Sequence, residues 1–200
     1  MLKAKILCTR HNNALSPLDS CACLAFQAFR EATAYAALKS LRRSTKYFLI
    51  DGYGLELWAM KTLHGLVNAK ILRDNSGPVF DAYAMELSAA LEAFSTGRVT
   101  EPLGMHIAPD IGGSVENSLG FAPLLHQGRQ QLHGLALCVH GLRINFLFDA
   151  SGLPIGTLSS NALYRPSVID VSGKHRTSRV IVVWDMLTTQ LRRIEAKLGR

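Results

Sequence analysis

Cys8 and His11 form a C-x-x-H pair at the end of a short apolar run, Ile6-Leu7. A thiolate and an imidazole at that spacing can be presented by one turn to a single tetrahedral metal, and zinc suits such donors. The pair is half a site, because structural zinc takes four ligands and the second pair of a finger has a similarly tight gap. The remaining cysteines are Cys21, Cys23 and Cys138, and no second C-x-x-C or C-x-x-H follows. Zinc is therefore expected only at an incomplete site.

Other residues capable of chemistry lack partners in the sequence. Glu56, Lys61 and His64 could form a catalytic cluster, but no nucleophile or second carboxylate accompanies them, and they read as an exposed polar face beside a buried Trp58. His126, His133 and His140 recur every seven residues. In a strand, that spacing alternates faces, so they are expected at turns or edges rather than around one metal. Gly112-Gly113 lacks the G-K-[ST] ending of a phosphate loop, and neither G-x-S-x-G nor H-E-x-x-H occurs. Cys21 and Cys23 stand roughly 200° apart on a helix and are expected as core or near-core thiols, as is a mid-strand Cys138.

Charge is distributed more informatively than its sum of +7 suggests. Residues 1–50 carry eight Lys/Arg against two acids, residues 51–164 six against ten, and residues 165–200 eight against three. Both ends are basic. Arg42, Arg43 and Lys46 cluster at one junction, and Lys174, Arg176 and Arg179 flank His175 at another. If these two groups meet in space they form a surface for the phosphates of DNA; otherwise they are a solvated basic rim. No apolar run approaches the ~18 residues of a membrane span. The four cysteines show no disulfide framework, so a reduced, cytoplasmic protein is expected.

Elements that would position these residues follow from periodicity. Lys3–Cys8 reads as a short strand. Ser16-Pro17-Leu18-Asp19 reads as a helix start, with a serine cap, proline in the first turn and an acid facing the positive dipole end. That helix should run to about Leu41, with Leu18, Cys21, Phe29, Ala32 and Ala36 inward. A strand over Tyr47–Asp51 should precede a helix from about Leu55 to Lys70, and another helix should cover Ala82–Phe94. Gly104–Ser114, with Pro109 and the pair Gly112-Gly113, reads as loop. Leu132–Val139 and Leu142–Phe148 should form a hairpin across His140-Gly141. Val168–Val171 and Val180–Trp184 supply further strands, the second central or covered, and Leu187–Leu198 reads as a closing helix. Helices first and strands later make the fold class α+β, a helical N-terminal half packed on a mostly antiparallel sheet.

The pattern I-L-C-x-x-H-N-x-x-L-S-P-L-D over residues 6–19 resembles the second half of the treble-clef finger of HNH-endonuclease-like bacterial proteins. The resemblance implies that Cys8 and His11 are the second zinc-ligand pair, His11 standing where cysteine is more usual. It also implies that Asn12 lies near where such families hold a catalytic metal. The family's C-x-x-C pair and general-base histidine would fall before Met1. The phrase D-G-x-x-x-E-x-W-x-x-K-T over residues 51–62 resembles the uncharacterised domain that follows such fingers. The resemblance thus implies a finger remnant over residues 1–20, a single α+β domain over 21–200, and a nucleic-acid-associated protein that is not catalytic as this isolated chain. HNH chemistry needs a base to activate water and a divalent metal, and no residue here is assigned as that base. The alternative is a structural or protein-interaction module with no nucleic-acid role.

Overall fold

The computed structural model describes residues 9–39, 43–68, 73–74, 77–78, 87–107, 119–125, 132–149, 162–184 and 193–197. The first helix, α1, covers Thr9–Ala37. Its buried stripe is made of Ala22, Ala25, Ala28, Phe29, Ala32 and Ala36, spaced three and four apart. Small side chains let the backbone approach its neighbour closely: the Ser178 hydroxyl donates to the Ala32 carbonyl at 2.8 Å. The helix begins seven residues before the expected serine cap, and Pro17 lies inside it. A proline there withholds an N–H from the ladder, yet this part of α1 is tied down from outside. Lys61 Nζ reaches both the Leu15 carbonyl at 3.2 Å and the Asp19 carboxylate at 2.6 Å. The strand expected over Lys3–Cys8 lies outside the described residues.

Strand β1, Ser44–Asp51, leads directly into α2, Gly52–Asn68. Asp51 caps that helix, its Oδ1 accepting the Gly54 N–H at 3.0 Å. Gly52 is required by contact, because a Cβ there would lie 2.6 Å from the Trp184 ring. β2 (Arg73–Asp74) and β3 (Gly77–Pro78) form a small ribbon. α3, Leu87–Thr96, ends with Gly97 at φ +72° and the Arg98 N–H on the Ala93 carbonyl, a Schellman closure.

The strands that follow are β4 (Gly104–Ile107), β5 (Leu119–Leu125), β6 (Leu132–Val139), β7 (Leu142–Leu147) and β8 (Leu163–Tyr164). They form one antiparallel sheet ordered β5-β6-β7-β4-β8. The β6–β7 hairpin turns at His140 (φ +47°) and Gly141 (φ +82°), the positive pair that a two-residue turn needs. Gly104–Ile107, expected as loop, is a fully buried strand between β7 and β8. Four residues buried on both faces show no alternation, which is why the neighbouring glycines and proline dominated the reading.

A second sheet, ordered β1-β10-β9-β11, contains β9 (Val168–Ser172), β10 (Arg176–Val183) and β11 (Arg193–Lys197). β10 is central, parallel to β1 and antiparallel to β9. Of the closing helix expected over Leu187–Leu198, the described residues are Arg193–Lys197, and these are not helical. Arg193–Lys197 instead adds a strand parallel to β9, where ladder bonds to the sheet edge outweigh helical periodicity. α1 lies on β10 and β1, and α2 lies between α1 and the antiparallel sheet, so one continuous core joins helices and both sheets. The class is α+β, with mostly antiparallel strands. Among the described residues no helix is long and apolar enough to cross a membrane.

Candidate nucleic-acid interface

Parallel strands start at the same end of a sheet. β1 and β10 pair in unbroken register from Ser44 opposite Arg176 to Asp51 opposite Val183. Arg43, one residue before β1, therefore shares an end with Lys174, His175 and Arg176, although the two groups come from opposite ends of the sequence. Parts of the two basic clusters thus lie at one end of the sheet. Arg42 lies outside the described residues.

Alternation divides the cations between two faces. Lys46 and Arg176 share the helix-facing side with Phe48, Ile50, Ser178 and Val180, whereas Arg179 shares the outer side with Tyr47 and Leu49. Their charges are not equally available. Lys46 Nζ lies 3.3 Å from Glu31 and 4.8 Å from the Phe48 ring. Gln27 and Lys46 together hold the Glu31 carboxyl below its ordinary range. Arg176 stacks 4.8 Å from the ring of Tyr35, whose hydroxyl is 2.7 Å from Ser44 Oγ. Arg179 is bidentate on the fully buried Asp170 at 2.8 and 3.1 Å, and is thereby committed to the sheet. Arg43 and Lys174 are exposed and have no carboxylate partner among the described residues. An incoming phosphate would meet these two first, with Lys46 and Arg176 behind them.

Cys8 and the His11 side chain lie outside the described residues; the backbone from Thr9 is helical, so His11 sits in the first turn of α1. Among the described residues no group of three or more His, Cys, Asp or Glu is arranged to hold a metal. A four-coordinate zinc site takes two ligands beyond such a pair.

Glu56 departs furthest from its expected place. It is completely buried rather than on an exposed polar face, and Arg165 grips it with Nε on Oε1 and Nη2 on Oε2, both at 2.9 Å. The Met105 N–H adds a third bond at 2.7 Å, and Arg165 also donates to the Val99 carbonyl at 2.6 Å. Tyr53, Tyr164 and Trp184 surround the guanidinium at 5.0–5.4 Å. Burial pushes the Glu56 carboxyl above its ordinary range against the opposing pull of Arg165 and the Met105 N–H. Burial also works against the Arg165 charge, but the Glu56 carboxylate outweighs it and raises Arg165 overall. Bonded through Nε and Nη2 of Arg165 and ringed by aromatic side chains, this pair is a structural hub joining α2, β4 and the end of β8. Its signal was present: Leu55-Glu56-Leu57-Trp58-Ala59-Met60 is apolar on every side of the glutamate, and a helix apolar all round is buried.

The remaining histidines and thiols also sort by structure. His140 occupies the hairpin turn as expected, and His126 lies outside the described residues. His133 is neither turn nor edge: it is buried on β6, its Nδ1 3.0 Å from the Asp149 carbonyl. Cys138, expected in the core, is exposed, the one outward position of β6. Cys23 is exposed too, whereas Cys21 is half-buried and burial with the nearby Asp51 charge pushes its thiol up to about 11, leaving it unreactive. Tyr35 and Tyr47, which flank the basic end, were not singled out by sequence because isolated aromatics carry no spacing signal. Comparison with known proteins gave no match to any family model, characterised protein or solved structure.

Proposed function

We propose that the chain is a nucleic-acid-associated protein that contacts phosphates at the shared start of β1 and β10, and that it is not catalytic in isolation. The supporting observation is the parallel register that brings Arg43 and Lys46 beside Lys174 and Arg176. Two exposed cations with no carboxylate partner among the described residues, backed by two more, form the kind of surface that neutralises a phosphate backbone without reading bases. On the HNH-like resemblance, Cys8 and His11 hold part of a zinc site. A cytoplasmic location, with Cys21, Cys23 and Cys138 reduced, completes the reading.

Fluorescence anisotropy with labelled DNA tests it. Binding should be non-specific, with a Kd of ~10⁻⁴ to 10⁻⁶ M at physiological salt, and should weaken steeply as salt rises. Arg43→Glu with Lys174→Glu should weaken binding to every sequence alike and make the log–log salt dependence shallower by roughly 2, since each lost phosphate contact removes about 0.9. A folded protein with no affinity at low salt would sink the proposal. The interaction-module reading is favoured by a different observation: Tyr47, Leu49 and Val183 are 57%, 69% and 41% exposed on one face of the sheet.

A further inference from the structure

The outer face of the β1-β10-β9-β11 sheet carries the same Tyr47-Leu49 surface up to the basic end. On β1 the outer residues are Thr45, Tyr47 and Leu49, and their partners on β10 are Thr177, Arg179 and Ile181. Arg43 falls on the same side by alternation, four residues before Tyr47, or roughly 13 Å along a strand that rises ~3.3 Å per residue. β1 is the last strand of its sheet, so this face is open along its edge among the described residues. Two strands in, on β9, it closes, since Asp170 is completely buried. Arg179 lies 5.8 Å from the Tyr47 ring and is held there by its two bonds to Asp170. Its charge is met by that carboxylate, so what it offers a ligand is a fixed plane beside an exposed ring.

We infer that the ligand of this surface is a single-stranded nucleic acid, whose phosphates lie at Arg43 and Lys174 while an unpaired base stacks on Tyr47 beside Arg179. The inference rests on the phosphate-binding reading above and adds the ligand's class to it. Cations alone serve duplex and single strand equally. An exposed ring on an open sheet does not, because a paired base already has both faces stacked within its helix and cannot reach it. A splayed base can, and any base has a face to offer, so the contact adds affinity without sequence preference. Leu49 and Ile181 continue the same face and give a neighbouring base an apolar floor.

The test uses the full chain and two labelled probes of equal phosphate number, an oligothymidylate and a closed hairpin duplex, at matched salt. The oligothymidylate should bind more tightly. Tyr47→Ala should weaken it about tenfold, from the loss of one base stack, while leaving the duplex affinity and the salt dependence of both unchanged, because no charge is removed. Tyr47→Phe should retain the single-strand affinity. Tyr47 is mostly exposed, so Tyr47→Ala should keep the wild-type circular dichroism and melt. If both probes bind and Tyr47→Ala affects the single strand no more than the duplex, the inference is overturned and the phosphate reading stands. If neither probe binds at low salt, the phosphate reading itself fails and takes the inference with it.

Discussion

Glu56 and Arg165 show how one pair can fix the meeting of distant segments. Arg165 sits at φ +43°, a left-handed backbone that costs a non-glycine residue roughly 1–2 kcal/mol. The guanidinium contacts hold it there. Gly104, at φ +117°, leaves room for the carboxylate, since a Cβ at that position would run into Glu56 Oε1. Removing either partner leaves a buried charge without its counter-ion, so Arg165→Met and Glu56→Met should each destabilise by ~3–5 kcal/mol. The double variant removes both charges and should recover a substantial part of that loss. Urea unfolding of the three variants measures this; strictly additive losses would show that the two side chains do not act as a pair.

Elements obey the same logic of faces. In β7, Arg143 is exposed while Ile144 and Phe146 are completely buried. Phe146→Asp should therefore unfold or aggregate the protein, whereas Arg143→Asp should shift thermal unfolding only slightly, as surface substitutions usually change stability by less than about 0.5 kcal/mol. Equal melts would place the strand's inner face wrongly. Where both faces are buried, as in β4, there is no alternation to read, and the element becomes visible only with its neighbours β7 and β8 in place. β11 is the converse case. Its residues suit a helix by period, but the vacant edge of β9 offers a full ladder of partners, and edge pairing decides the outcome.

Across the whole molecule, pH dependence follows from which titratable groups the core takes in. Burial lowers the His64 pKa, and burial, together with the Arg165 charge, lowers that of His106, despite the hydrogen bond it makes to the Pro102 carbonyl at 3.2 Å. A histidine depressed in the folded state contributes stability that is present above its unfolded value of about 6.5 and is lost as pH falls through the folded value. Glu56, raised by burial, runs the other way: its contribution is present below the ordinary carboxylate range and is lost as pH rises through its folded value. The His106 part can be isolated by comparison. His106→Phe should lose less stability than the wild type between about pH 7 and about pH 5, whatever its absolute stability. Denaturant melts across that range check it; identical slopes would remove His106 from the account.

The α+β class, the β6–β7 hairpin with its His140-Gly141 turn, the presence of a strand within β10 and the basic character of both chain ends follow from the sequence by itself, because each rests on local period, turn chemistry or composition. Tertiary structure alone decided the rest. That Arg43 shares an end of the sheet with Lys174 depends on a parallel pairing between strands from opposite ends of the chain, for which no local residue carries the register. That Glu56 is a buried anchor rather than a surface acid depends on Arg165, 109 residues away, arriving from the bend after β8. Long-range partners choose among the conformations that a short segment permits, and a segment's own residues state only which conformations those are.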